Sequence, residues 1–343
     1  MALHIRILIL LLFIIIGCGE SGRATQSVLP TPEVTYTPGE IVTDSQGYIS
    51  YRVGNTPIII TVPHDGTISP STFPNRTGPT ERAENTRKVA EQFAYFFNIN
   101  SDGLFPHIIY NNVSRDKLDP DLNQMDAAQG NSYANLSYGT YHSFLQTAID
   151  TVEAYFDAGV LLNLVEHNHS DQRIELGYLL SVTDLELSNL QLNSYSGQSS
   201  VSQISSISSS SFAEVIRGYN SLGTLIVGKS YTSNDVSYSF DAVPTLDNPT
   251  VGSSEYISGG FTISQYGSSN GGKINGIDVA TPFTGFRDNA NAYRALAVIL
   301  EESVKNFYQE NLGTLIYWLP LNAVALLRYS CASSSRPSPK YVL

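Results

Sequence analysis

The chain has 343 residues, of which 42% are hydrophobic and only 15% charged, so it is long and apolar enough to bury a sizeable core. Acidic residues outnumber basic ones by 31 to 19, and the formal net charge is -12. This balance excludes the cationic excess on which phosphate-backbone binding depends, so nucleic acid is not an expected partner. The two cysteines, Cys18 and Cys331, are too few for a framework of several disulfides.

The first 18 residues have the pattern of an export signal. Arg6 precedes an apolar run at residues 7–16, which is too short to span a bilayer but has the length of a signal-peptide core. The run ends in Gly17 and Cys18, as in bacterial lipoprotein signals, where the cysteine is lipidated and becomes the new N-terminus. We therefore predict an exported protein that contacts the membrane only through a lipid anchor on Cys18. The alternative is an ordinary secretory signal and a secreted protein.

Composition divides the rest of the chain into three parts. Residues 19–42 contain three prolines and no apolar periodicity, which predicts a flexible tether. In residues 43–310, short β-branched runs alternate with helical patterns, which indicates a single α/β domain with a mixed, mainly parallel sheet flanked by helices. The tail, residues 311–343, carries an apolar segment that is too short to span a membrane, and its structure stays open.

Within the domain, the runs at residues 57–62 and 160–165 have no alternation, as expected of strands buried on both faces. Shorter strands are predicted at residues 107–110, 179–182 and 277–279. The Ser-rich stretch at residues 193–211 is predicted to be a surface loop, followed by a helix at residues 212–216. Apolar residues at helical spacing predict three longer helices, which contain Val89, Phe93, Phe96 and Phe97, then Phe144, Ala148, Val152 and Tyr155, and finally Tyr293, Leu296, Leu300 and Val304.

Three of the six histidines follow the two buried strands. His64 comes after the first, and His167 and His169 come after the second. Residues two apart in an extended segment point to the same side, so His167 and His169 can reach one metal ion together with His64. The carboxylates in the same regions, candidate ligands or bases, are Asp65, Glu84 and Glu166. His107 and His142 have apolar neighbours and are predicted to be structural.

A series of short motifs, in this order, resembles the N-formylglutamate amidohydrolase family over about residues 50–308. The motifs are VPHDG (62–66), SRDKLDP (114–120), AAQGN (127–131), HNH (167–169), QRIELGY (172–178), SGGF (258–261), YGS (266–268) and TPF (281–283). The resemblance implies a fold like that of zinc carboxypeptidases, with a sheet of about eight strands. It also implies one zinc ion held by two histidines and a carboxylate, a glutamate that accepts the proton of the zinc-bound water, and an Asn-Arg pair that binds the substrate carboxylate.

Most of the implied metal ligands are replaced in this sequence. His64 matches the first ligand position. Ala83 stands at the second, with Glu84 one residue along, which is about 100° around a helix. Val165 stands at the third and cannot bind zinc, while His167, two residues on, could bind a metal at a shifted position. Weak zinc binding or none is therefore expected.

The catalytic and substrate-binding positions are replaced as well. Asp121 and Leu122 stand where the family has its Asn-Arg pair, and Ala280 stands at the general-base position. The remaining candidates for substrate binding are Arg115 and Arg173, the arginines of two of the matching motifs. We interpret the protein as a catalytically degenerate binding scaffold for a small molecule or a peptide. The alternatives are an active amidohydrolase with zinc on His64, His167 and His169, and a surface protein with a structural or adhesive role.

The lipid anchor gives a direct test. If Cys18 carries acyl chains, each buried methylene contributes about 0.8 kcal/mol and the protein stays with membranes. We expect the wild type in the detergent phase of a membrane extraction and the Cys18→Ser variant either unprocessed or in the aqueous phase. If both proteins are found in the aqueous phase and begin at the same residue, the anchor is excluded and only export remains.

Overall fold

The structure, a computed structural model, describes residues 34–313 and 325–327. The predicted export signal, Cys18 and most of the tail lie outside these ranges. The strands are β1 (Val34–Tyr36), β2 (Ile41–Thr43), β3 (Ile49–Arg52), β4 (Ile58–Val62), β5 (His107–Asn111), β6 (Gly159–Glu166), β7 (Ile174–Gly177), β8 (Tyr231–Ser233), β9 (Val236–Tyr238), β10 (Ala242–Val243), β11 (Ile274–Thr281) and β12 (Ala325–Leu327). The helices are α1 (Thr86–Asn100), α2 (Gln124–Ala128), α3 (Ser132–Tyr155), α4 (Val182–Leu185), α5 (Asn189–Leu192), α6 (Ser202–Ile207), α7 (Phe212–Arg217), α8 (Leu222–Val227), α9 (Phe261–Tyr266) and α10 (Ala290–Leu312), and short 3-10 turns occur at Asn193–Gln198 and Ser268–Asn270.

In the described part of the chain, eight strands form one mixed sheet in the order β10-β7-β11-β6-β4-β5-β3-β2. The four central strands, β11, β6, β4 and β5, are parallel, while β7 and β3 run antiparallel to their inner neighbours. The elements from Val34 onward belong to one domain. This arrangement confirms the predicted α/β fold with about eight strands.

Helices cover both faces of the sheet, which explains the unbroken apolar runs of the central strands. One face of β4 and β6 packs against the apolar sides of α1 and α10, and the other packs against α3. Every residue of β4 is buried, and so are seven of the eight residues of β6. Because each side chain of a central strand meets a covered face, polar residues on these strands must find partners inside the protein.

The sequence placed the start of the domain too late. Residues 34–42, predicted as part of the tether, include β1 and the beginning of β2, and β2 pairs with β3 at the edge of the sheet. The turn between β2 and β3 is fixed by Asp44, whose carboxylate accepts backbone N–H groups of Tyr48 and Ile49. Within the predicted tail, β12 pairs with β1. Strands of three residues carry too little periodicity to be recognised without their partners.

Two other predictions were wrong. Residues 179–182 do not form a strand: β7 ends at Gly177, Leu179 has a left-handed backbone, and α4 begins at Val182. The Ser-rich stretch is not a surface loop, because Ser199 and Ser200 are fully buried and donate hydrogen bonds to the backbone oxygens of Tyr178 and Gly276. None of the helices in the described ranges combines the length and hydropathy that a membrane span requires.

Candidate functional site

The ring of His64 lies between two carboxylates at the carboxyl ends of β4 and β6. Its Nε2 is 2.9 Å from Oδ1 of Asp119, and its Nδ1 is 3.2 Å from Oε2 of Glu166. A carboxylate oxygen accepts hydrogen bonds, so each ring nitrogen carries a proton and donates one. His64 is therefore a buried imidazolium rather than a neutral imidazole with a free lone pair.

Charged groups of opposite sign are paired around His64. Arg115 donates from Nε to Oδ2 of Asp119 at 2.9 Å and from Nη1 to Oε1 of Glu166. Burial disfavours the charged ring, but the fields of Asp119 and Glu166 outweigh it and raise the pKa of His64 to about 10. Burial likewise opposes ionisation of the carboxyls, yet His64 and Arg115 lower the pKa of Glu166 to about 2 and hold the pKa of Asp119 below its usual range. His64, Arg115, Asp119 and Glu166 thus form one cluster of paired charges, and Nη1 of a further cation, Arg76, lies 3.9 Å from Oδ2 of Asp119.

The loop that carries His64 is held from several sides. Asp65 accepts the backbone N–H of Arg87 at 2.8 Å and the side chain of Arg82 at 2.7 Å. Gly66 passes directly against the next loop: a Cβ at this position would stand 2.1 Å from the backbone oxygen of Val113. This contact explains why a glycine follows His64 and Asp65.

The residues that the resemblance matches to the other two ligand positions, Ala83 and Val165, have side chains without donor atoms. The backbone N–H of Ala83 donates to the backbone oxygen of His64 at 3.1 Å, so this methyl side chain is adjacent to the histidine. Glu84 is exposed in the turn before α1. Val165 on β6 is the register partner of Ala280 on β11, and both are buried. An apolar pair therefore occupies the sheet where the resemblance requires a ligand and a base.

Two residues before Val165 and Ala280 on the same strands, polar side chains form a ladder across three neighbouring strands. Thr61, Asn163 and Asp278 are register partners on β4, β6 and β11. Asn163 Nδ2 donates to Asp278 Oδ1 and to Asp121 Oδ2, both at 3.0 Å, and Thr61 donates to Asn163 Oδ1 at 2.8 Å. Asp121, which the resemblance matches to the first position of the Asn-Arg pair, is thus buried and hydrogen-bonded inside the protein.

The two carboxyls of this ladder are difficult to ionise together. Backbone N–H groups support them: Gly260 donates to Asp278 at 2.6 Å and Thr262 donates to Asp121 at 2.8 Å. Even so, burial, followed by the charge of Asp121, raises the pKa of Asp278 to about 8, and burial also raises the pKa of Asp121. The link between Asp278 and Asn163 depends on strand register and was not predicted from the sequence.

The structure places His167 and His169 with Glu175 of β7, not with His64. His169 Nδ1 is 3.1 Å from both carboxylate oxygens of Glu175, and His167 Nε2 is 2.8 Å from the backbone oxygen of Arg173. Among the described residues, donor atoms of His167, His169 and Glu175 lie within 4.8 Å of one another. His64 does not belong to this group among the described residues; its two ring nitrogens face Asp119 and Glu166 instead.

The two arginines predicted to bind substrate contact protein carboxylates. Arg115 belongs to the His64 cluster. Arg173 lies 3.4 Å from Asp171 and 3.7 Å from Oε1 of Glu175.

Outside the site, His107 and His142 bond through Nδ1 to the hydroxyls of Tyr51 and Tyr266 at 2.6 and 2.8 Å, and burial lowers the pKa of His107 to about 3.

A cavity of about 340 Å³ opens beside the His64 cluster at the carboxyl ends of the strands. Its wall combines two guanidinium groups, several carboxylates and an aromatic ring. The lining residues are Glu81, Arg82, Glu84, Glu166, His167, Asn168, Gln172, Pro282, Phe283, Thr284 and Arg287. Ligands of open α/β sheets bind at this edge, so the cavity is the candidate binding site.

Comparison with known proteins finds similarity only at the level of structure. No protein-family model matches the sequence, and no curated protein matches it. The chain is similar to the crystal structure of N-formylglutamate amidohydrolase from Ralstonia eutropha JMP134, with a TM-score of 0.46 and 12% identity over 78% of this chain and 99% of that one. It is also similar to the crystal structure of a gene product from Agrobacterium tumefaciens, with a TM-score of 0.41 and 12% identity over 76% of this chain and 95% of that one.

The buried Asp278 predicts a pH dependence of stability. Its pKa rises from 3.8 to about 8 on folding, so the folded state holds a proton that the unfolded state releases. The stability from this proton is complete below pH 3.8 and is lost as the pH rises through about 8. We expect Asp278→Asn to remove up to about 1.4 kcal/mol per pH unit from the slope of the unfolding free energy in this window.

Urea unfolding at pH 5 and pH 8 measures the slope for wild type and variant. The control is Asp150→Asn, because Asp150 is an exposed carboxyl on α3. Equal slopes for wild type and Asp278→Asn would show that Asp278 ionises normally in the folded protein.

Proposed function

We propose that this protein is a non-catalytic, exported binding protein built on a fold like that of the N-formylglutamate amidohydrolases. The observation that carries the proposal is the double engagement of His64 by Asp119 and Glu166. This histidine is the only residue that matches the family's metal ligands in sequence, and it is held in the protonation state that cannot bind a metal.

The two carboxylates beside His64 are arranged for ion pairing and not for one shared zinc ion, because Asp119 faces Nε2 and Glu166 faces Nδ1. Zinc binds neutral imidazole, thiolate or carboxylate, and bound protons must leave first. Removing the proton from either nitrogen of His64 would leave a lone pair facing a carboxylate in a buried cluster. This loss is unfavourable, and the pKa of His64 is raised accordingly. Ala83 and Val165 add no donors. A metal at this position would have to displace an ion pair that already satisfies both ring nitrogens.

The residues needed for hydrolysis at this position are also replaced. Ala280 has no atom that can accept a proton from water, and its neighbour across the sheet is the apolar Val165. Leu122 cannot pair with a substrate carboxylate, and Asp121 beside it is bonded to Thr262 and Asn163 inside the protein. Neither general-base catalysis nor the family's mode of substrate binding is supported by these side chains.

Binding, by contrast, is supported by the cavity beside the cluster. Arg82 and Arg287 place positive charge in its wall, while Glu81 and Glu84 place negative charge there, and Phe283 adds an aromatic surface. Such a wall suits a small zwitterionic molecule or a peptide terminus with a nearby side chain. The export signal and Cys18 would place this binding domain outside the cytoplasm, attached to a membrane by lipid.

The protein is expected to release no formate from N-formylglutamate. The physical reason is that neither a metal-activated water nor a base is available where Val165 and Ala280 stand. The measurement compares formate release by the purified protein and by a heat-denatured sample, with and without added Zn²⁺. A variant with Ala83→Asp, Leu122→Arg, Val165→His and Ala280→Glu restores the family pattern and serves as the comparison. Turnover by the unmodified protein above the denatured control would refute the proposal.

A further inference from the structure

A second cluster of metal-binding side chains lies beyond the end of β6, apart from the His64 cluster. His167 and His169 are two residues apart in the extended segment after β6, and Glu175 is on the neighbouring β7. The imidazole rings of the two histidines are 4.8 Å apart, centre to centre. Glu175 is completely buried, whereas the side chain of His169 is 18% exposed, so the cluster is reached from solvent on the His169 side.

Hydrogen bonding fixes which nitrogen of His167 can bind a ligand. Its Nε2 is 2.8 Å from the backbone oxygen of Arg173, and a carbonyl oxygen only accepts, so Nε2 carries the proton. The lone pair therefore lies on Nδ1, where it accepts the backbone N–H of His169 at 3.3 Å, a hydrogen bond that a metal ion would have to replace. Metal-binding histidines generally donate one ring N–H to a carbonyl or carboxylate and bind the ion through the other nitrogen, which for His167 is Nδ1.

The distances match those around one tetrahedral ion. Two donors that are each about 2.0–2.1 Å from a tetrahedral zinc are roughly 3.3–3.4 Å apart. His169 Nδ1 and the Glu175 oxygens are 3.1 Å apart, so an ion can replace the hydrogen bond between them with little movement. One ring nitrogen of His167 lies within 4.8 Å of the other two donor atoms, so the His167 ring must move towards them for its Nδ1 to complete the set.

We propose that His167 Nδ1, His169 Nδ1 and Glu175 form a binding site for a divalent cation of the zinc class. Two imidazoles and one carboxylate are ligands that zinc accepts, and a fourth position would be left for water or for a ligand atom. The site shares no residue with the His64 cluster. It does not depend on the proposed function, because a non-catalytic binding protein can use such an ion for structure or for ligand binding.

Arg173 opposes the bound ion. Its Nε is 3.7 Å from Oε1 of Glu175, and its Nε and Nη2 have no hydrogen-bond partner among the described residues. A guanidinium so close to the carboxylate competes with a cation for it and repels the cation directly. The hydrogen bond from His167 Nε2 goes to the backbone oxygen of Arg173, so a substitution of the Arg173 side chain leaves this acceptor in place. Replacing Arg173 by Gln should therefore increase the affinity for the metal while the ligand geometry is kept.

The experiment is a titration of the metal-free, full-length protein with Zn²⁺, measured by competition with a chromophoric chelator. Co²⁺ serves as a second probe, since its visible spectrum reports tetrahedral coordination. We expect one Zn²⁺ per chain. His169→Ala and Glu175→Gln should each weaken binding at least about 100-fold, more than the loss of a second-shell partner costs. Arg173→Gln should strengthen binding roughly tenfold.

Two histidine variants act as matched controls. His142→Ala removes a ring from α3, and His64→Gln removes the ring predicted from sequence to share the metal; both should bind Zn²⁺ as the wild type does. Circular dichroism identifies folded variants, and His169→Ala, at a partly exposed position, keeps the test valid if Glu175→Gln does not fold.

Three outcomes would overturn the assignment: no Zn²⁺ uptake by the wild type, unchanged binding in His169→Ala, or unchanged or weaker binding in Arg173→Gln. If Zn²⁺ binding is lost in His64→Gln and kept in His169→Ala, the ion binds at His64. That outcome would contradict both this assignment and the proposed function. The failures of the two proposals are thus distinguishable.

Discussion

The buried imidazolium of His64, bonded at both nitrogens to carboxylates, is the interaction on which the site depends. It joins the loop after β4, the end of β6 and the segment that carries Asp119, and Arg115 closes the cluster. Removing one partner from a buried ion pair typically costs about 3–5 kcal/mol, because an unpaired charge is left inside the protein. The cluster therefore couples the local architecture to a single protonation state, and that state removes the lone pair a metal would need.

The surroundings of the side chains change along the central strands, from the interior of the sheet to its carboxyl ends. In the row of Asn163 and Asp278, every polar group finds an internal partner, and Asp121 is drawn into the same network. Two residues closer to the strand ends, Val165 and Ala280 are paired and apolar. Beyond the strand ends, charged side chains line an open cavity. The positions that the resemblance matches to catalytic groups are here divided between buried structure and apolar packing, and the charged side chains nearest to solvent line the cavity at the strand ends.

The fold could be predicted from sequence where burial on both faces left an unbroken apolar run, as in β4 and β6, or where a long apolar stripe marked a helix, as in α1 and α10. It could not be predicted where partners decide the outcome. Ser199 and Ser200 lie in a Ser-rich stretch that predicts a loop. In the folded protein they are buried, and their hydroxyls donate hydrogen bonds to backbone carbonyls of other segments. The partner of His64 could not be derived from spacing, because Asp119 is 55 residues away and reaches the ring only through the tertiary fold. Likewise, Glu175 joins the two later histidines through its position on β7.

The measurement that tests the central claim most directly is a ¹⁵N NMR titration of the histidine side chains, with His64 assigned by comparison with His64→Gln. The account predicts that both ring nitrogens of His64 are protonated at pH 8, that the pKa of His64 is about 10, and that added Zn²⁺ leaves its signals unchanged. A neutral His64 at pH 8, or His64 signals that move with one equivalent of Zn²⁺, would contradict the account.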